Sequence, residues 1–327
     1  MIIFWLNSII LSILTLIPLL IGVAFFTLAE RKIMAGVQRR TGPNVVGFLG
    51  ILQPFADGLK LVLKEIIYPS KSNYVLFTFS PMLVLFLSFI SWPALPFNLQ
   101  TIFIDFEYTL LFFLTISSLS VYGILLAGWS SNSKYALLGG IRSISQMIAY
   151  EISISLILLP VIAFSGSLNI LLIMSFQKMV WYVLPFFPLS IIFFISILAE
   201  TNRTPFDLAE AEAELVAGYN VEYSGIIFAA FFLAEYANIL LMAAFFVILF
   251  CGGWSFSFLL APLFLSLKIV IIAFLFIFIR SNVPRYRFDQ LMFIGWKVFL
   301  PLTFAFVLFY CGFLITFNLA PINQSLF

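Results

Sequence analysis

The 327-residue sequence contains no histidine and only two cysteines, Cys251 and Cys311, which lie far apart in apolar segments. Without histidine, Ser–His catalysis, imidazole-ligated haem and most catalytic metal centres are excluded. The two distant cysteines exclude a disulfide scaffold and a self-contained iron–sulfur or cysteine-type zinc site. We therefore expect this chain itself to bind no metal and no redox cofactor.

Charged residues are also scarce, at 9% of the sequence, whereas residues of the AVILMFWYC class make up 63%. Soluble globular proteins contain about a quarter charged residues and roughly half apolar ones. There is too little polar surface to coat a water-soluble particle, so the composition indicates a polytopic membrane protein. The net charge of +2 gives no basis for nucleic-acid binding.

Long apolar segments predict the membrane topology. About 20 apolar residues cross a bilayer as an α-helix, and these segments lack the period-two alternation of barrel strands. We predict a single all-α membrane domain, 1–327, with eight transmembrane helices. The predicted spans lie near 4–29, 74–97, 108–129, 144–165, 180–199, 224–250, 258–279 and 291–318.

The positions of lysine and arginine predict the orientation of the spans. Except for Lys178 and Lys268, every lysine and arginine lies in an odd-numbered loop or at its flanks. Because basic loops stay on the cytoplasmic side or its equivalent, the odd loops are expected there. Both termini then lie on the opposite side, as an even number of spans requires.

The long first loop contains an amphipathic segment, 51–67. Its apolar residues recur at steps of three and four, and its polar residues follow the same steps on the other face. This pattern predicts a helix that lies in the membrane interface and ends before Pro69. The pattern alone leaves open whether the helix is a surface anchor or has a further role.

Several ionisable residues lie where a bilayer disfavours them. Each such residue requires a partner, an aqueous cavity or a function, because an ionisable group in hydrocarbon costs a few kcal/mol or more. One interpretation is a set of buried ion pairs that fix helix register. Several acids at related depth favour a proton path instead. Those within spans are Glu151, Glu235 and Lys268, and those at span ends on one side are Glu30, Arg31 and Glu200.

The predicted fifth loop, 200–223, is strongly acidic and contains one base, Arg203. Asp207, Glu210 and Glu214 step by three and four, which places them on one face of a helix. Carboxylates at this spacing repel one another beside an apolar slab, so we expect their pKa values to be raised and coupled. Such a cluster can exchange protons near neutral pH. The alternative is a solvated acidic loop that docks a basic partner protein.

Six sequence blocks carry a resemblance to a known family. They are LAERK (28–32), QRRTGPNVVG (38–47), LQPFADGLKLVLKE (52–65), AGWSSNSKYALLGGIR (127–142), AETNRTPFDLAEAEAELVAGYNVEYS (199–224) and PRYRFDQLM (284–292). In this order they resemble subunit 1 of the mitochondrial NADH:ubiquinone oxidoreductase, respiratory complex I. The resemblance spans nearly the whole chain, and the fifth block is especially specific.

The resemblance implies a core subunit of a proton-translocating enzyme, with no independent catalytic activity. It would be a multi-pass protein of the mitochondrial inner membrane, with odd loops facing the matrix and both termini in the intermembrane space. Its implied partners are the quinone-module subunits of the peripheral arm, the antiporter-like subunits of the membrane arm, membrane lipid and ubiquinone as substrate. NADH, FMN and the iron–sulfur clusters would be bound by partner subunits. In agreement, the sequence has no GxGxxG after a strand, no P-loop and no CxxC.

The resemblance also implies roles for individual residues, none of them catalytic. The quinone-access cavity would be formed by Arg31, Gln38, Arg40, Asp57, Phe228 and Phe232. The acidic proton route would comprise Glu151, Glu200, Asp207, Glu210, Glu214 and Glu235, with Tyr135 and Tyr150 as hydroxyl relays. The supporting positive charges would be Arg203 and Lys268.

Two other functions stay open at this point. One is a stand-alone proton-coupled secondary transporter, although such carriers typically contain inverted repeats and the sequence shows no convincing internal duplication. The other is the equivalent subunit of a membrane-bound hydrogenase or a bacterial quinone reductase, with the same fold and a different electron donor.

Overall fold

The structure is a computed structural model that describes residues 2–98, 107–178, 180–207, 218–254 and 261–317, with side chains from residue 13 onward. Within these ranges the regular structure is entirely helical, in agreement with the predicted all-α membrane class. The helices are α1 (Ile2–Val37), α2 (Gln53–Leu63), α3 (Tyr74–Ile90), α4 (Thr109–Ser130), α5 (Lys134–Ser165), α6 (Ile170–Phe176), α7 (Phe187–Glu200), α8 (Gly225–Phe250), α9 (Ala261–Asn282) and α10 (Phe288–Thr316).

Seven helices of the described ranges are long and apolar enough to cross a membrane, namely α1, α3, α4, α5, α8, α9 and α10. Helix α7 is apolar but has only 14 residues. At 1.5 Å per residue it is about 21 Å long, which is shorter than the roughly 30 Å hydrocarbon core. The structure thus provides seven full-length candidates where the sequence predicts eight spans.

Proline explains why α7 is short. Pro188 lies in the first turn of α7, where the missing N–H is tolerated. Pro185 disfavours helical backbone at the residue before it, and residues 182–186 form turns instead. These turns are held in place by the Val183 N–H, which donates to the Phe250 carbonyl at 2.9 Å. The predicted span near 180–199 is therefore helical only in its second part.

Helices α5 and α8 form the centre of the bundle. Helix α8 packs against α1, α3, α7 and α9, and α5 packs against α4, α7 and α10. In the most apolar 18-residue stretch of α8, 61% of the residues are buried, compared with 22% in the corresponding stretch of α10. A helix that is apolar all round and central is where a bundle can bury ionisable groups away from lipid. Glu151 on α5 and Glu235 on α8 occupy this central position.

The N-terminal half of α5 extends beyond the predicted span, 144–165. The helix begins after Ser133, whose Oγ accepts the Ala136 N–H at 3.4 Å, and it ends at Gly166, which has a left-handed φ of +65°. The extra turns bring Gly139 against the turn Gly218–Asn220. A Cβ on Gly139 would lie 2.8 Å from the Gly218 Cα, so this contact requires glycine.

The predicted amphipathic segment forms helix α2, which lies against α1 and α8. Its apolar residues Phe55, Leu59 and Val62 are 48%, 63% and 59% exposed. An exposed apolar face is typical of a helix in a membrane interface, and this location stays a prediction. The chain after α2 is joined to the start of α8 because the Ser224 Oγ accepts the Ile67 N–H at 3.0 Å.

Candidate functional site

A buried ionic cluster forms where α1, α8 and α9 meet the loop after α7. Its centre is Glu30 on α1, which is 4% exposed. The Glu30 Oε1 accepts hydrogen bonds from Arg280 of α9 and, at 3.5 Å, from Arg203. The Tyr236 hydroxyl of α8 donates to the Glu30 Oε2 at 2.5 Å. Four segments that are distant in sequence are therefore held together by one carboxylate, and we call these residues the Glu30 cluster.

Arg203 connects the Glu30 cluster to the next acid. Its guanidinium lies over the Tyr236 ring at 4.5 Å, so the aromatic face offsets part of the cost of burying the charge. Arg203 also acts electrostatically on Glu235, which directly precedes Tyr236 on α8. A cavity of about 10 Å³ between Glu30, Arg203 and Arg280 has room for about one water molecule.

The first described part of the acidic loop ends at Asp207. Asp207 is 5% exposed, and its Oδ2 lies 3.2 Å from Arg285 Nη2. Its carboxylate also acts electrostatically on Glu235. Glu210 and Glu214, which the sequence places with Asp207 in one acidic cluster, lie outside the described residues.

Glu235 and Glu200 border the same internal space. Glu235 accepts a hydrogen bond from the Tyr219 hydroxyl at 2.8 Å. A cavity of about 30 Å³, which we call the Glu235 cavity, is lined by Ser120, Glu200, Thr201, Asn202, Tyr219, Glu235 and Asn238, together with apolar side chains. Such a volume holds about two water molecules. Two carboxylates on different helices can thus communicate through a polar space.

A second cavity adjoins the first. This Glu200 cavity, of about 50 Å³, shares Ser120, Met147, Glu200, Thr201 and Asn238 with the Glu235 cavity. It extends along α4 to Ser117, whose hydroxyl donates to Glu151 at 3.4 Å. Ser118 donates a second hydrogen bond to Glu151, and the Glu151 and Glu200 carboxylates interact electrostatically. Glu151, Glu200 and Glu235 are therefore linked by hydroxyl groups and by two adjoining cavities, of which the Glu200 cavity is lined mainly by apolar side chains.

The end of the acidic loop is anchored by Tyr223, whose ring stacks on Phe77 with centroids 4.0 Å apart. The Tyr223 hydroxyl lies 3.1 Å from the Ser80 hydroxyl and 3.3 Å from that of Ser130. Burial raises the pKa of Tyr223, and these hydrogen bonds partly oppose that rise. The hydroxyl stays protonated at neutral pH, so it serves as a neutral anchor.

The four polar residues assigned to the quinone cavity form two pairs at the matrix-side end predicted for α1. Arg31 Nη1 lies 2.5 Å from the Asp57 Oδ2 of α2, and Arg40 Nε donates to the Gln38 side-chain oxygen at 2.8 Å. Gln53 donates to the other Asp57 oxygen at 2.9 Å. Polar groups therefore cluster between α1 and α2.

An aromatic wall is present at the start of α8, against which α2 packs. The Phe228 and Phe232 rings lie 4.5 Å apart, and Phe25 of α1 meets Phe55 of α2 edge to face at 6.3 Å. Polar headgroup contacts beside aromatic walls are the combination that binds a ring with an apolar tail. The site residues predicted for the quinone cavity thus share one region of the fold.

Three other predicted site residues lie apart from the acids. Tyr135 is 58% exposed on the first turn of α5. Tyr150 is buried and donates to the Leu291 carbonyl of α10 at 3.1 Å, next to a π-helical turn. The Lys268 ammonium donates to the carbonyls of Cys251 and Gly253 at 2.8 and 2.7 Å, twelve residues before Arg280. At 1.5 Å per residue, Lys268 lies about 18 Å from the Glu30 cluster along α9.

Sequence reasoning missed several members of the site. Glu30 is singled out only as a charge at a span end, and Arg280 is counted only as a topology signal. Tyr219, Tyr236, Ser117 and Ser118 carry no sequence signal, because their roles depend on contacts between helices far apart in the chain. Glu30 could have been found from its burial cost, since an acid in the run LAER at a helix end needs a countercharge.

No group of three or more histidine, cysteine, aspartate or glutamate residues in the described ranges is arranged to hold a metal ion. The notable features of those ranges are a buried ionic cluster, a series of carboxylates beside two internal cavities, and an aromatic and polar surface beside an amphipathic helix. These features indicate a polytopic membrane protein with ionisable groups at its centre.

Comparison with known proteins identifies the family. The model of the NADH dehydrogenase family matches residues 10–311, so the chain belongs to this family. NADH-ubiquinone oxidoreductase chain 1 of Chondrus crispus is 53% identical over 325 residues, 97% of this chain and 100% of the relative. The protein of the same name from Arabidopsis thaliana is 53% identical over 313 residues, covering 94% and 96%.

A bacterial protein is similarly related. One of the NADH-quinone oxidoreductase subunits of Paramagnetospirillum magneticum is 51% identical over 315 residues, covering 94% of this chain and 92% of the relative. The resemblance to the subunit 1 family drawn from the six sequence blocks is confirmed by these relatives. They carry the names of oxidoreductase subunits, which agrees with the prediction of an enzyme subunit.

Proposed function

We propose that this chain is the core membrane subunit of an NADH–quinone oxidoreductase that forms the quinone-access cavity and the start of an acidic proton route. The observation that carries the proposal is the arrangement of two consecutive residues of α1. Arg31 pairs with Asp57 beside the aromatic wall, whereas Glu30 holds the buried cluster with Arg203 and Arg280.

The quinone would enter between α1, α2 and the start of α8. Its isoprenoid tail would lie along Phe228, Phe232 and the exposed apolar face of α2, with lipid outside. Arg31, Asp57, Gln38 and Arg40 provide donors and acceptors for its ring at the inner end. An apolar surface for the tail and polar groups for the ring suit a lipid-borne substrate with a polar headgroup.

Charge that develops on the bound quinone would act on the Glu30 cluster through the adjacent Arg31. The cluster is nearly dry, and electrostatic interactions are stronger there than in water. A change in the charge around Glu30 would move the Arg203 side chain, or change how strongly Arg203 interacts with Glu30 and with Glu235. The quinone site and the acids are thereby linked through a short ionic connection.

Protons would then pass along the carboxylates. Glu235 and Glu200 share the Glu235 cavity, and the Glu200 cavity extends to Ser117, one of the two serines that donate to Glu151. Asp207, Glu210 and Glu214 are proposed to join this route from the acidic loop. Tyr135, Tyr150 and Lys268 lie apart from these acids, and their roles in the route stay predictions.

The relatives' names and the apolar helices support a multi-pass protein of the mitochondrial inner membrane. We propose eight spans, in which the turns at 182–186 and α7 together form the short fifth span. The odd loops would face the matrix, and both termini would face the intermembrane space. Quinone-module subunits would dock on the matrix side and carry NADH, FMN and iron–sulfur clusters, and antiporter-like subunits would continue the proton route.

Gentle detergent extraction tests the assignment. The chain is expected to co-purify with flavin and iron–sulfur clusters in a very large particle that reduces quinone with NADH. Migration of the active chain alone, or as a small oligomer, would instead support a stand-alone transporter. A large particle whose clusters are reduced by hydrogen rather than by NADH would identify the hydrogenase relative.

Substitutions in the Arg31–Asp57 pair are expected to weaken quinone binding. Their side chains are 48% and 36% exposed, and partly exposed pairs contribute up to about 1 kcal/mol. Arg31→Gln or Asp57→Asn should therefore raise the KM for a short-chain quinone up to about five-fold, with kcat little changed. Lys60→Gln, on the polar face of the same helix, is the matched control. Equal KM values in all three variants would remove this pair from the quinone site.

A further inference from the structure

Tyr219, near the end of the acidic loop, has a hydroxyl that contacts an acid of the proposed route directly. Its side chain is buried, with 2% exposure, in the turn Gly218–Asn220. The hydroxyl donates to Glu235 Oε1 at 2.8 Å. The hydrogen bond thus connects the loop to the centre of α8.

Two contacts fix the position of the Tyr219 ring. It packs edge to face on Phe231, with centroids 5.5 Å apart and planes at 77°. On its other side, the backbone of Gly218 and Tyr219 lies against Gly139 of α5, where a Cβ would be 3.1 Å from the Tyr219 nitrogen. The hydroxyl is therefore held towards Glu235 by α8 and α5 together.

The polar atoms around this hydrogen bond indicate water. Glu200 Oε2 and Asn202 Oδ1 are buried, and neither has a hydrogen-bond partner among the described residues. Both side chains line the Glu235 cavity, together with Tyr219 and Glu235. Buried polar atoms are normally hydrogen-bonded, and a polar cavity of about 30 Å³ has room for about two water molecules.

We propose that Tyr219 is a positioning residue for proton transfer between Glu235 and Glu200. By holding Oε1, its hydroxyl turns the other oxygen of Glu235 towards the cavity and stabilises the ionised carboxylate. In the transfer step, an O–H bond breaks at Glu235 and another forms at Glu200, with cavity water passing the proton. This inference rests on the proposed function, because it assumes that the carboxylates carry protons.

Other charges also act on Glu235, so the effect of Tyr219 is limited. The groups that face Glu235 besides the Tyr219 hydroxyl are Arg203 and Asp207 from the loop after α7, Arg280 from α9 and Glu200 across the cavity. Because the two arginines still favour the carboxylate, loss of the hydroxyl should slow the transfer without abolishing it. A hydrogen bond to a charged group corresponds to about a ten-fold effect or more.

The direct test compares Tyr219→Phe with Tyr310→Phe in the assembled enzyme. Tyr310 is the matched control, because its buried hydroxyl also makes a 2.8 Å hydrogen bond, to the Pro185 carbonyl, away from the acids. Rates are expressed per assembled complex, measured as flavin-site NADH oxidation by ferricyanide. Tyr219→Phe is expected to lower quinone-coupled turnover and proton pumping about ten-fold, with Tyr310→Phe at the wild-type level.

The pH profile distinguishes positioning from a merely structural role. Without the Tyr219 donor the protonated form of Glu235 is relatively more stable, so the profile of turnover should move to higher pH by about one unit. A Tyr219→Phe profile that coincides with wild type would overturn the proposal. So would loss of assembly in Tyr219→Phe alone, since that would make the hydroxyl structural.

A second variant keeps the hydroxyl but displaces it. Gly139→Ala adds a Cβ against the Gly218 backbone, whereas the control Gly312→Ala adds one with no atom within 4 Å. Gly139→Ala should reproduce the lower turnover of Tyr219→Phe per assembled complex. Normal turnover in Gly139→Ala would contradict the positioning role.

Glu235→Gln separates this inference from the proposed function. If Glu235→Gln impairs pumping and Tyr219→Phe does not, only the Tyr219 inference fails. If both variants pump as wild type does, the proposed acidic route itself fails.

Discussion

Glu200→Gln is expected to abolish nearly all quinone-coupled NADH oxidation and proton pumping in the assembled enzyme. Glu200 lines both the Glu200 cavity and the Glu235 cavity, and it is the carboxylate that the two linings share, so it is the proton-binding group between Glu151 and Glu235 in the proposed route. Glutamine keeps the shape and polarity of the side chain but cannot bind and release the proton. Removal of a proton-transfer group typically costs about 100-fold or more in rate.

Two controls make the Glu200→Gln result specific. Ferricyanide reduction at the flavin site should stay at the wild-type level, because that reaction does not involve the membrane subunit. Glu107→Gln removes an exposed carboxylate just before α4 and should pump normally. Quinone-coupled turnover above half of wild type in Glu200→Gln would remove Glu200 from the proton route.

Glu30→Gln is expected to prevent stable assembly. The substitution leaves the guanidinium groups of Arg203 and Arg280, whose side chains are 10% and 27% exposed, without their shared carboxylate. Breaking a buried ion pair by removing one partner costs about 3–5 kcal/mol. Since α1, α8, α9 and the loop after α7 all meet at Glu30, the loss affects the whole centre of the bundle. The measurement is the amount of assembled enzyme and its thermal midpoint.

A double variant tests whether stranded charge is the cause. Glu30→Gln combined with Arg280→Gln removes one positive charge together with the negative one. We expect it to recover part of the assembly lost in Glu30→Gln, because the remaining Arg203 still has the Tyr236 ring. Equal amounts of assembled enzyme in wild type and Glu30→Gln would show that the cluster contributes little to stability.

The helical part of the fold follows closely from hydropathy. Each of the seven full-length candidate helices overlaps a predicted span, because about 20 apolar residues leave the backbone few other ways to satisfy its hydrogen bonds. Hydropathy does not show where a helix within an apolar segment is interrupted. Pro185 and Pro188 are ordinary in membrane helices, yet here they shorten α7 to 14 residues. The start of α5 at Lys134 is also hidden, because Lys134, Arg142 and the pair Gly139–Gly140 interrupt the apolar pattern there.

The candidate site could be predicted only as a set of residue types. The cost of burying charge directs attention to Glu151, Glu200 and Glu235, and the structure places these three along connected cavities. Which countercharge lies near which acid depends on helix packing. The pairing of Glu30 with Arg280, 250 residues apart, therefore cannot be predicted from the sequence. For the same reason the sequence does not show that the Lys268 ammonium donates to the carbonyls of Cys251 and Gly253.

The most direct test of the central claim is a density map of the intact assembly, at a resolution that shows ordered water, with quinone bound. We predict water in the Glu235 cavity within hydrogen-bond distance of Glu200 Oε2 and Asn202 Oδ1, and a quinone between Arg31–Asp57 and the aromatic wall of α8. A dry space filled by apolar side chains, with Glu200 or Glu235 bound singly by an arginine or lysine, would contradict the claim that these acids conduct protons.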